Sequence, residues 1–335
     1  SSIGFALFAF AFNLYMIYLA RIVAGIFTSA TLTVANAYIA DTTTPKERGA
    51  AYGKITAAFG LGFALGPGAG GFLADLNILG LSGQEITGLF SAGLALVNLF
   101  GALILLPESL SAVNIKTDKG KFKFMDFSEL KRVSQTKGIP LYLAIFSLIS
   151  LGFSLLIAVF PVYAQEIDNT VREKELGYYF TYAGVVLLVT QYILIKPMID
   201  RFGEQNLIKI GILSMFAGFL VFPYAPSFYW MVLAITPTIF GLAISNPSIN
   251  SSLSKIADKK DQGTVMGFNQ SFASFMRIIG PLMGGLLLDL NLVYPFYLGA
   301  IIFIITFFFA VNKLDHSFET EQLGSFNPEL AGYQE

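Results

Sequence analysis

Two arginines stand alone inside long apolar stretches, Arg21 in LYMIYLARIVAG and Arg277 in SFASFMRIIGP. A charge at membrane depth is expensive, and it marks an ion or substrate path or an interhelical ion pair. Arg277 lies three residues before Gly280 and is placed to meet an anionic group or a carboxylate on another helix. The amides Asn36, Gln191, Asn246, Asn250, Asn269 and Gln270 fall in similar surroundings, where they hydrogen-bond either a substrate or a neighbouring helix. Phe153, Phe160, Tyr163, Tyr179 and Tyr182 suit an apolar pocket for flat or cationic compounds, although most aromatics in such a chain face lipid or core.

Other chemistries lack their residues. The chain has no cysteine and a single histidine, His316 in the tail. Thiol catalysis, thiolate metal sites and a nucleophile–histidine pair are excluded, so neither an enzyme nor a cofactor is expected. GPGAGG at 66–71 fits the G-x-G-x-x-G pattern, but a nucleotide loop follows a strand and opens a helix. Here it sits inside a long apolar run, and GK at 53–54 has no phosphate-loop pattern around it. A formal net charge of −1 points away from nucleic acid.

The elements that must position these residues are membrane helices. Hydrophobic residues make up 55% of the 335-residue chain and charged ones 13%, against roughly 25% charged in a soluble protein. A span needs about 20 apolar residues. Full-length runs occur at 14–40, 50–74, 87–107, 139–164, 176–197, 206–223, 228–252, 263–288 and 293–312, with a short one at 1–12. That predicts an all-α membrane protein of ten segments, the first partial. Alternate loops hold 17 of the 21 Lys and Arg residues, seven of them in 108–138. The positive-inside rule therefore places both ends in the cytoplasm. FKFMDFSELKRV in that basic loop reads as a short amphipathic helix, and the tail from 314 reads as solvated chain.

The chain also repeats itself. Gly49, Gly53, Gly66, Pro67, Gly70, Gly71 and Asp75 recur without a gap as Gly263, Gly267, Gly280, Pro281, Gly284, Gly285 and Asp289, at a constant offset of 214. The predicted organisation is a first bundle over 1–107, a basic linker over 108–138, a second bundle over 139–312 and a tail over 313–335. Transporters are often built from such repeated halves around a mid-membrane site. Gly62, Gly66 and Gly70, four residues apart, read as a smooth face for close helix contact, bent by Pro67.

GLGFALGPGAGG, RIVAG at 21–25, LPES at 106–109 and DRFG at 200–203 together resemble the major facilitator superfamily, and in particular its tetracycline and multidrug proton antiporters. The resemblance implies two pseudo-symmetric bundles of twelve helices, of which this chain lacks the first two and part of the third. It implies secondary transport by alternating access, with proton-coupled efflux of small amphipathic compounds as the expected activity. The expected partners are such a substrate, protons and the lipid of a bacterial inner membrane, with the protein a monomer. Arg21 has a family counterpart linked to proton coupling. Arg21, Asn36, Asn246, Asn269, Gln270, Arg277, Phe153 and Tyr179 are the candidates for the substrate or proton pathway. Gly62, Gly66, Pro67, Gly70, Gly71, Gly280, Pro281, Gly284 and Gly285 form the conformational motif, and Asp41, Arg48, Asp200 and Arg201 a cytoplasmic charge gate. Glu204 and Gln205 stand where the family usually has basic residues after DRFG. Two other readings remain: uptake or facilitated passage of a sugar or organic anion, and a shortened, non-transporting membrane protein that only binds a partner.

Overall fold

Hydrocarbon offers no partner to a free backbone N–H or C=O, so a chain this apolar must close its own hydrogen bonds. In a computed structural model of the protein the described residues are helical, apart from turns, loops and one isolated bridge between Ile78 and Leu81. The structure describes residues 1–28, 31, 35, 38, 42, 48–105, 127–257 and 261–325; within these, the side chains of 48–57, 59, 63, 127, 128, 130 and 315–325 lie outside the description.

The helices are α1 (Ser2–Ala9), α2 (Leu14–Thr28), α3 (Arg48–Ala74), α4 (Gly83–Leu105), α5 (Phe127–Ser134), α6 (Ile139–Ile167), α7 (Glu173–Val189), α8 (Ile195–Phe202), α9 (Glu204–Val221), α10 (Phe228–Ala234), α11 (Thr236–Ile256), α12 (Gln262–Leu290) and α13 (Tyr294–Ser325). A π-helical turn, Thr190–Leu194, joins α7 to α8, and α10 runs into α11 through Ile235. Among the described residues seven stretches are long and apolar enough to cross a membrane: Gly83–Leu105, Ile139–Ile167, Glu173–Phe202, Glu204–Tyr224, Phe228–Ile256, Gln262–Leu290 and Tyr294–Leu314. Leu14–Thr28 and Gly60–Ala74 are shorter apolar helices. Every segment expected from the sequence therefore carries a helix at its position. The short amphipathic helix of the basic loop is α5. The tail differs from expectation, because α13 continues to Ser325 through helix-favouring Glu, Gln and Leu.

The chain divides into two compact units, Ser1–Phe122 with Arg172–Gly184, and Lys123–Val171 with Val185–Glu335. In the first, α1 packs on α2 and α4 through small residues: a Cβ on Gly4 would lie 2.7 Å from Ala24 Cβ, and one on Gly88 2.6 Å from Ala9 Cβ. Gln84 Nε2 donates to the carbonyls of Phe8 (3.2 Å) and Ala11 (3.3 Å), which ties α4 to the end of α1. The start of α7 lies against α3 in the same unit.

In the second unit α6 is buried along most of its length. Phe160, Tyr163, Phe219, Phe222, Phe296 and Phe303 form its aromatic core, with Tyr163–Phe296 centroids 4.7 Å and Phe222–Phe296 centroids 4.9 Å apart. Helices α9 and α11 cross at Gly211 and Gly241, so close that a Cβ on Gly211 would sit 2.7 Å from the Gly241 carbonyl oxygen. Gly203, with φ +74°, ends α8 and starts α9, a conformation that L side chains rarely adopt. At the same end, α5 is held by Arg132 Nη2–Asp261 Oδ1 at 2.9 Å and by the buried Val133.

The α9–α11 crossing yields a direct test. Gly241→Leu is expected to destabilise the protein by about 1–3 kcal/mol, because the new side chain meets backbone that cannot yield. Thermal unfolding of the detergent-solubilised chain measures it, and an unchanged or raised Tm contradicts the packing described.

Candidate functional site

The polar residues at membrane depth gather on α11 and α12, both within the second unit. Asn246 and Asn250 are one turn apart on α11, and Asn269, Gln270 and Arg277 follow on α12. Asn269 is 1% exposed and donates through Nδ2 to Asn250 Oδ1 at 3.0 Å. Its own Oδ1 is buried with no partner among the described residues, as is Asn246 Oδ1. A buried carbonyl oxygen left unpaired costs about 1–3 kcal/mol, so both positions favour an incoming donor. Arg277 Nη2 donates to Gln270 Oε1 at 3.2 Å, two turns back on the same helix. The Arg277 carbonyl accepts from Ser154 Oγ at 3.1 Å, which ties this point of α12 to α6.

The remaining pathway candidates stand on other elements. Arg21, in the first unit, places its guanidinium 5.1 Å from the centroid of the Phe8 ring. Tyr179 is buried in the first unit, with its ring 5.2 Å from that of Phe180. Phe153, on α6, is half-buried, whereas Phe160 and Tyr163 belong to the aromatic core. Asn36 lies outside the described residues. A cleft of about 620 Å³ in the second unit is walled mainly by Val185, Val189, Leu194, Leu233 and Phe240, and it contains none of the predicted site residues.

Among the described residues the glycine segment of α3 makes close contact on a second face, beside the one marked by the four-residue spacing. In α3, Gly62, Gly66 and Gly70 have no heavy atom within 4 Å of an added Cβ among the described residues. The tight seam is Ala64, Gly68 and Gly71 against Gly184, Thr181 and Gly177 of α7. A Cβ on Gly71 would lie 2.8 Å from the Glu173 carbonyl oxygen, and one on Gly177 2.9 Å from that of Pro67. The reason lies in α7, which is small or short at the three positions that oppose this face. In the second copy Gly280 and Gly284 do face a neighbour: their added Cβ atoms would sit 2.8 Å from Leu155 N and 2.7 Å from Val159 Cγ1. Gly285 meets nothing within 4 Å, and Pro281 is exposed on α12.

Asp41 and the Arg48 side chain lie outside the described residues. Asp200 and Arg201 are exposed, and Arg201 lies over its neighbour Phe202 at 5.3 Å. Among the described residues Glu204 is paired: its carboxylate accepts from Lys255 Nζ (2.7 Å), Ser251 Oγ (2.5 Å) and Ser252 Oγ (3.3 Å). This cage joins α9 to α11, and the sequence offered no signal for it beyond Glu204 standing in an unusual place after DRFG.

Comparison with known proteins puts this geometry in context. The model of a family described as Major Facilitator Superfamily matches residues 1–194 and 170–327. Multidrug resistance protein 2 of Bacillus subtilis (strain 168) is 29% identical over 310 residues, covering 91% of this chain and 74% of that protein. The class C tetracycline resistance protein of Escherichia coli is 27% identical over 286 residues, covering 84% and 69%. Among solved structures, the human organic anion transporter MFSD10 (TETRAN) shares the fold, with a TM-score of 0.68 at 21% identity over 92% of this chain and 74% of that one.

The α3–α7 seam can be checked in a chain free of native cysteine. Gly68→Cys with Thr181→Cys is expected to cross-link under mild oxidation, because the two Cβ positions lie 3.5 Å apart, within disulfide reach. Gly62→Cys with Gly184→Cys is expected not to. Gel mobility reads both, and the reverse pattern contradicts the assignment of the face.

Proposed function

The chain belongs to the Major Facilitator Superfamily, and from that premise we propose that it is a secondary transporter working by alternating access, which exports small amphipathic compounds in exchange for protons. It is an integral multi-pass membrane protein whose relatives are transporters rather than enzymes. The observation that carries the reading is the polar cluster on α11 and α12. Asn246, Asn250, Asn269, Gln270 and Arg277 bring an arginine and unsatisfied amide oxygens to membrane depth, where such groups mark a translocation path. The named relatives are resistance proteins, which supports efflux over uptake.

In this reading Arg21, Asn36, Phe153 and Tyr179 line the same pathway from other helices. The glycine–proline segments of α3 and α12 are the conformational motif, where helices slide on one another. A contact made of glycine and backbone has few interlocking side chains to disengage. Asp41, Arg48, Asp200 and Arg201, with the Glu204–Lys255 pair, hold the cytoplasmic side. Both ends of the chain are cytoplasmic, the membrane is a bacterial inner membrane and the working unit is a monomer.

Everted membrane vesicles from cells expressing the chain test the proposal. A pH gradient, acid inside, is expected to drive accumulation of a fluorescent amphipathic compound such as tetracycline, and nigericin is expected to abolish it. Accumulation equal to that of vesicles lacking the protein overturns the reading.

A further inference from the structure

Helix α12 has three faces on a turn of 3.6 residues. Val265, Asn269, Ala273, Gly280 and Gly284 form the buried one, packed in part on α6. Phe275, Ile278, Leu282 and Leu286 are exposed, large and apolar, as a lipid-facing surface requires. Over residues 267–285 the sector between them is also exposed, yet it holds Gly267, Gln270, Ser274, Arg277, Pro281 and Gly285, with no large apolar side chain. A face of that composition is built for protein or water rather than for lipid tails.

Arg277 is the sixteenth residue of this 29-residue helix, about 20 Å from either end at 1.5 Å per residue. That is mid-depth in a hydrocarbon core of about 30 Å. Among the described residues no carboxylate lies within 4.0 Å of it, and its one side-chain hydrogen bond goes to Gln270 Oε1. Arginine has no acceptor, so this bond turns the Gln270 oxygen inward and leaves its Nε2 as the group it offers outward. The pair therefore presents only N–H donors and one positive charge, on a face that lipid does not suit.

We infer that Arg277, oriented by Gln270, recognises the acidic group of the transported compound, so that the substrate is an amphipathic organic anion bearing a carboxylate or sulfonate. A guanidinium binds such a group through two parallel N–H···O bonds, which a neutral amide cannot reproduce. The inference rests on the transport reading above and narrows it to one substrate class.

The test uses the purified full chain in detergent at neutral pH. The probes are 2-naphthylacetic acid and 2-naphthylacetamide, matched in shape and different in charge, and calorimetry reads both affinities. The acid is expected to bind at least about tenfold more tightly than the amide, as a charge-assisted pair requires. In Arg277→Gln that ratio is expected to fall to about one with amide affinity retained, and in Arg277→Lys to an intermediate value, because the charge stays and the fork is lost. If Arg277→Gln is not monodisperse on size exclusion, Arg277→Lys decides, and an unchanged ratio there overturns the inference. It is also overturned if the native chain shows no preference for the acid, including no binding of either probe, or if the preference survives in Arg277→Gln. Proteoliposomes with a pH gradient separate the two readings. An Arg277-dependent acid preference without gradient-driven movement upholds the anion site and defeats the transport proposal. Gradient-driven movement of the amide, with no acid preference, upholds transport and defeats the anion site.

Discussion

Lipid gives two helices no reason to approach one another, because hydrocarbon tails are as apolar as the side chains between them. What holds this chain together is therefore contact itself, and contact is closest where side chains are absent. The structure uses that solution repeatedly. Gly211 and Gly241 bring α9 against α11, Gly280 and Gly284 bring α12 against α6, and Ala64, Gly68 and Gly71 meet Gly184, Thr181 and Gly177. Such seams depend on shape alone. A single added side chain opens them, whereas a small displacement along them disengages little, which suits surfaces that must both hold and move.

The same solvent makes every polar group conspicuous. The Asn269–Asn250 bond fixes α12 to α11 beside two amide oxygens that lack donors among the described residues. Arg277 stands further along α12, with its backbone carbonyl held by Ser154 on α6 and its guanidinium turned to Gln270. The backbone there is firmly placed, while the charge it carries is still without an anionic partner among the described residues. Rigid placement of an incompletely satisfied group is how a binding site differs from a structural ion pair. The Glu204 cage supplies the contrast, since its carboxylate is met by a lysine and two serines that brace α9 and α11 where those helices reach the charged end.

The fold was legible because the bilayer writes it into composition. Runs of apolar residues marked the helices, and the offset of 214 marked the duplication. Arg277, Asn250 and Asn269 were legible for the same reason, since a polar residue in an apolar run has few explanations. Pairings between distant positions were not. Arg132 and Asp261 are 129 residues apart, and Glu204 and Lys255 are 51 apart, so no local pattern announces either bond. The glycine seam was half legible. The spacing of Gly62, Gly66 and Gly70 identified a smooth helix, but which side of it is used depends on the small residues of α7, more than 100 positions away. The aromatics were the least informative. Phe160 and Tyr163 carry the same letters as pocket-lining residues and are core, because only packing distinguishes the two.

In the function proposed above, substrate movement is coupled to proton movement. The most direct measurement is internal pH in proteoliposomes containing only the purified protein and a trapped pH indicator. With the interior acidic, adding an amphipathic substrate outside is expected to release protons outward at a rate that rises with substrate concentration and saturates. A pH trace indistinguishable from that of protein-free liposomes, in vesicles whose protein is monodisperse and correctly inserted, would contradict the account.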